Sequence, residues 1–250
     1  RIMNGHVLRV HPKVLTLCEV LEQNGLYQQK MEVQSLVKYL GDMEKRLSVM
    51  TEELRELKSE VNKLENQSVR AKCQGLVAKA NEKVQQAKDL LTSMKEKFLS
   101  SAEKLVDTFQ QKGRDALAQG IHALRIPSVV ARLGKFFSHA AESMKQGANR
   151  LDAVREELHQ TGTHARNAAG AMFGKSPQEA GVLEADYGIL ARVRNGMESC
   201  GKSFAEMEQN ANHLAEQFRL EKPSVKSQLS ERKSDCIKPR TISSAKEQAR

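Results

Sequence analysis

The chain has 250 residues, 39% of them hydrophobic and only 4% aromatic, with no Trp, which leaves too little bulky apolar material for a thick globular core. Its 40 basic and 31 acidic side chains give a net charge of +9, and the longest run without a charged residue, 116–124, is nine, which excludes a membrane-spanning helix. The four cysteines form no CxxC pair, so neither a zinc knuckle nor a small disulfide scaffold is indicated, and a reducing cytoplasm is the expected compartment.

No secretory apolar stretch follows the N-terminus, and with Arg1 in first place Met3 or a residue upstream is the expected start. After Pro12 a short amphipathic helix carries Val14, Leu15, Cys18 and Leu21 on one face and ends at the turn signal Asn24, Gly25, closing an N-terminal unit over 1–25. The second helix runs from about Tyr27 to Glu65 and contains an unbroken heptad. Val33, Leu40, Leu47, Leu54 and Val61 occupy its a positions, and Leu36, Met43, Met50, Leu57 and Leu64 its d positions. A seam with no polar member must be covered along its whole length by another helix.

The register breaks around Asn66, Gln67 and Ser68, and a new stripe follows: Cys73, Val77, Ala80, Val84, Ala87, Leu91, Met94, Phe98 and Leu105. Ala80 and Ala87 allow close approach of helix axes, so the second and third regions read as an antiparallel hairpin over 26–126. The third region weakens at Gly113 and Gly120 and ends before Ile126 and Pro127. A long amphipathic helix over 127–175 begins after Pro127, with Ser128 near its start, and carries Val130, Leu133, Phe137, Ala140, Met144, Leu151, Val154 and Leu158 before thinning to Ala165, Ala168 and Met172. Gly174 and Lys175 stop it. Ser176, Pro177 and Glu179 form a capping box for a last helix, 176–222, with Leu183, Tyr187, Leu190, Met197, Phe204, Ala211, Leu214 and Phe218 on its apolar side. From 223 to 250 the composition is Lys, Ser, Arg and Gln, a disordered basic tail.

The fold class is therefore all-α: an elongated antiparallel bundle or coiled coil of about five helices. Charges flanking the heptad do not favour a parallel dimer, because pairing Glu53 with Lys58 is offset by Glu60 facing Glu65. With no Asn or Lys among the ten seam positions to fix a dimer register, pairing within one chain is the preferred reading and self-association the other.

Residues 67–150 carry 15 basic and 7 acidic side chains, the largest local excess in the chain. Lys79, Lys83 and Lys88 lie outside the apolar stripe there and are the candidate anion contacts, suited to weak, sequence-independent binding of nucleic acid or an anionic surface. No aromatic stacking platform accompanies them. Phe136 and Phe137 with Arg132, Lys135 and Lys145 could form a membrane-surface helix, but the stripe continues at the same spacing beyond them, as a bundle core does.

Catalytic and cofactor signatures are not found. Glu156 and His159 make one ExxH spacing where a di-iron bundle needs two, and His159 and His164 are not on one helical face. No GxxxxGK[ST] loop occurs, and Cys200 has no neighbouring His. No catalytic residue, metal ligand, cofactor or small-molecule substrate is expected.

The heptad around Met43, Glu44, Lys45, Arg46 and Leu47, the run Phe109, Gln110, Gln111, Lys112, Gly113, Arg114, Asp115, Ala116, Leu117, and the joint at Ile126 and Pro127 resemble an uncharacterised all-helical family of gut Gram-positive bacteria. Its genes often lie in conjugative and other mobile elements, and the similarity covers about residues 26–175. The resemblance implies a bacterial cytoplasmic accessory protein and carries no catalytic residue across. The expected function is a non-enzymatic coiled-coil scaffold that meets a protein partner or a second copy, with nucleic-acid binding through 67–150 as the rival.

Overall fold

The computed structural model describes residues 8–172 and 184–220, and all longer elements are helical: α1 (Pro12–Gln23), α2 (Tyr27–Val61), α3 (Gln67–Lys112), α4 (Arg114–Ala123), α5 (Ile126–Met172) and α6 (Glu184–Leu220). The capping box at Ser176, Pro177 and Glu179, Leu183 and the basic tail lie outside the described residues, as does the side chain of Tyr187.

Local chemistry sets the boundaries. Pro12 opens α1, where its missing N–H costs nothing, and the His11 ring accepts a hydrogen bond from the Lys13 amide at 3.3 Å. The helix closes at Gly25, whose φ of 68° suits glycine. The Leu26 amide reaches back to Leu21 O and the Gly25 amide to Glu22 O, while Leu21 and Leu26 are both buried beneath the turn. Helix α2 stops at Val61, four residues before the sequence pattern ends. Asn66 then caps α3 by accepting from the Ser68 and Val69 amides, and the Arg70 guanidinium donates to Leu64 O. Leu64, the tenth seam position, is therefore buried in the turn rather than in the helix.

The expected third region divides in two. Gly113, at φ 79°, breaks it into α3 and α4, so among the described residues there are six helices where the sequence pattern gives about five. Gly120, also expected to weaken the helix, sits inside α4 with the end of the Leu105 side chain packed where a Cβ would be. Helix α5 starts at Ile126, one residue before Pro127, after Arg125 takes φ 47° and its carbonyl accepts from the Ser128 and Val129 amides. Proline in a first helical turn displaces no intrahelical bond.

The four long helices make an up-down-up-down bundle. Helices α2 and α3 are joined by Glu44 to Lys95 (2.6 Å) and Asn62 to Gln74 (3.0 Å). Helix α3 meets α5 through Lys72 and Glu157 (3.0 Å), and α5 meets α6 through Asp152 and Arg194 (2.6 Å). Ion pairs of Arg46 with Glu206 and Glu60 with Arg192 close the ring between α6 and α2. Residue numbers rise on one helix as they fall on the other at each interface, with Gly147 beside Leu76 as the second α3–α5 contact and Gly134 beside Ala211 as the second α5–α6 contact, so all four interfaces are antiparallel. At 1.5 Å per residue the longest members, α3 and α5, extend about 70 Å. At one end α1 packs on α2 and α3, held also by Lys13 to Glu103 at 2.6 Å, and α4 folds back on α3.

Candidate interaction surfaces

The ten seam residues, Val33, Leu36, Leu40, Met43, Leu47, Met50, Leu54, Leu57, Val61 and Leu64, are all buried and belong to one continuous apolar core with residues of α3, α5 and α6. Their covering comes from the same chain. Phe137 of α5 and Phe204 of α6 stack within that core at 6.1 Å between ring centroids, with Phe136 edge-on to Phe137 at 5.9 Å. Phe137 is thus an interior residue and not part of a surface-seeking helix.

Lys79, Lys83 and Lys88 do not form a stripe. Lys79 is exposed; Lys83 and Lys88 are half-buried, and Lys83 donates to Gln86 Oε1 at 3.2 Å. The five-residue step from Lys83 to Lys88 turns about 140° around the helix axis. Glu82 and Asp89 interleave with them, each accepting from a neighbouring Gln (Gln86 at 3.0 Å, Gln85 at 2.8 Å). The local potential is of mixed sign.

One charged pair in the interior was not read from the sequence. Lys95 is 3% exposed and binds Glu44 across the α2–α3 interface. Its signal is visible in hindsight: Lys95 stands four residues after Leu91 and three before Phe98, on the stripe itself, whereas the half-buried Met94 lies beside it. Tyr39 is likewise buried, and its hydroxyl, whose pKa burial pushes up, donates to Met207 O at 3.4 Å.

The chemistry of the other candidates is muted. Burial raises the thiol pKa of Cys73 to about 11 and of Cys200 to about 12, with Glu53 adding to the second, and raises that of Cys18 as well. Glu156 and His159 are exposed on α5, with Glu156 accepting from Gln160 at 3.0 Å. Among the described residues no group of three His, Cys, Asp or Glu side chains is placed to hold a metal ion, and no helix is long and apolar enough to cross a membrane.

A groove of about 320 Å³ lies between α1 and α2. Val14, Cys18 and Val37 are buried beneath it, Leu15 and Met31 stand exposed along it, and Arg9 and Lys38 are its charged lining residues. An apolar cavity of about 110 Å³ lies where α2, α3 and the α4–α5 joint meet, bounded by Leu40, Phe98, Leu124 and Ile126 with Lys97 and Ser101 also lining it. A third groove, on the outer side of α5 and α6, is floored by Ala141, Ala148, Gly201 and Ala205 and bordered by both acids and lysines.

No curated protein and no solved structure matches the chain. A family model described only as a family of unknown function (DUF6674) matches residues 11–250, covering the bundle from α1 onward, and the chain belongs to that family.

Proposed function

We propose that the protein is a non-enzymatic helical scaffold: a rod whose interior is satisfied by its own chain and whose outer surfaces meet a protein partner. The observation that carries this reading is the seam. Ten consecutive core positions that would otherwise demand a second chain are covered within one bundle, so the outward faces of all four long helices are free to serve a partner. The bundle interior is filled by aliphatic and aromatic side chains, with Lys95 held by Glu44. A bacterial cytoplasmic setting, in service of a mobile element, belongs to the same proposal through the sequence resemblance.

The test is purification of the full chain from its own host, with and without nuclease digestion. A protein partner that stays bound after digestion is the expected result. Recovery of nucleic acid alone, with binding that persists at physiological salt, would overturn the scaffold in favour of the rival, because a few lysine-phosphate contacts of mixed-sign surroundings weaken steeply as salt rises.

A further inference from the structure

We infer that the α1–α2 groove docks an amphipathic helix of a partner protein, one whose apolar face is flanked by Asp or Glu. This rests on the scaffold reading and names its binding surface. Six large apolar side chains are strongly exposed among the described residues, and four of them, Val10, Leu15, Tyr27 and Met31, fall within residues 10–31, at the α1 end of the bundle. Tyr27 and Met31 are one turn apart on the same face of α2, and Leu15 faces Met31 across the groove. Of the four, Leu15 and Met31 line the concavity, and apolar exposure gathered at one end of the bundle marks a contact surface rather than scattered residues. The groove has room for several aliphatic side chains, and its α2 wall runs from Met31 to Lys38, about two turns, which suits a helix presenting i, i+4 and i+7 anchors.

Charge selects the occupant. The neighbouring Lys13 and Lys30 are paired, with Glu103 at 2.6 Å and Glu22 at 2.8 Å, whereas Arg9 and Lys38 make no ion pair among the described residues. The acids nearest the lining residues along the two helices, Glu19, Asp42 and the buried Glu32 beside Met31, do not line the groove. Two positive groups facing an apolar trough complement acids flanking an apolar helix face. They also disfavour a second copy: docking groove on groove about a two-fold axis would set Arg9 and Lys38 against the same residues of the other chain.

Two synthetic helical peptides of about 15 residues test this, both with Leu at the anchor spacing, one flanked by Glu and the other by Lys. The full chain should bind the Glu peptide at least about tenfold more tightly than the Lys peptide, and the double variant Arg9→Glu, Lys38→Glu should invert that preference. Met31→Asp, at an exposed position, should abolish binding of both peptides with circular dichroism unchanged. Absence of binding, equal binding of both peptides, or a preference that the double variant does not move would overturn the proposal. So would anionic lipid vesicles binding more tightly than the Glu peptide with loss in the same variants, which would make the groove a membrane contact. Failure of the peptides alongside a protein partner recovered from the host would remove the groove while leaving the scaffold standing.

Discussion

The two hairpins of the bundle solve the same packing problem in opposite ways. In α2–α3 large apolar side chains fill most of the space between helices, Leu40, Leu47 and Leu54 on one side and Val84, Leu91 and Phe98 on the other, with Ala80 and Ala87 small among them and a buried ion pair beside them. In α5–α6 glycine and alanine let the backbones come together. A Cβ on Gly134 would lie 3.2 Å from Ala211 Cβ, and one on Gly201 would lie 3.3 Å from Met144 Cβ. Large residues make a seam that is readable from the sequence and intolerant of charge; small residues make one that is intolerant of added volume.

The largest effect should follow from breaking the first seam. Leu47→Asp or Leu54→Asp places an unpaired carboxylate at a position exposed by no more than 1% and should cost at least about 4 kcal/mol in urea unfolding, a large share of ordinary domain stability. Replacing Arg55 or Glu56 in the same helix should leave the urea midpoint essentially unmoved, since both are exposed and the Arg55–Glu52 pair is solvated. Equal losses at the two kinds of site would mean that the heptad does not set the interior.

The ion pair sharpens the comparison. Lys95→Ala should leave Glu44 largely buried without its partner and cost about 3–5 kcal/mol, whereas changing Lys95 and Glu44 together to Met should be close to neutral. If the double variant is as unstable as the single one, the pair is not the reason Lys95 is tolerated inside.

How much of this was legible depends on which residues speak for themselves. The seam of α2 could be read because ten large apolar residues repeat at a spacing only a packed helix uses, and the hairpin with α3 followed from the break at Asn66. Lys95 could not be placed, because a lysine beside Leu91 reads as surface until the acid across the interface is known, and Glu44 is 51 residues away. The same limit hides the α1–α2 groove: the spacing puts Leu15 on the apolar face of α1, yet it is 46% exposed, because α2 and α3 cover only the side holding Val14, Leu17, Cys18 and Leu21. Glycines were ambiguous in sequence for a related reason. Gly113 breaks a helix and Gly120 permits a contact, and only the neighbouring Leu105 tells them apart.

Added volume should break the second hairpin more gently. Gly201→Val pushes a branched side chain toward Met144 Cβ and Ala141 O, 3.3 and 3.7 Å from where its Cβ would sit, and should cost about 1–3 kcal/mol by overpacking. Retention of full stability would show that α5 and α6 can separate without loss, and that their close approach is incidental.

The smallest effect has the opposite sign and serves as the control for the glycine argument. Gly75 lies within α3, and a Cβ there would meet nothing within 4 Å. Its cost to the bundle is therefore that of glycine in any exposed helix, backbone freedom lost on folding with no close approach gained in return. Gly75→Ala should raise stability by about 0.4–1 kcal/mol, read as a shift of the urea midpoint with unchanged slope. A loss at Gly75 comparable to that at Gly201 would mean that α3, like α5 and α6, is held at close quarters. The distinction between a seam of large residues and a seam of small ones would then fail.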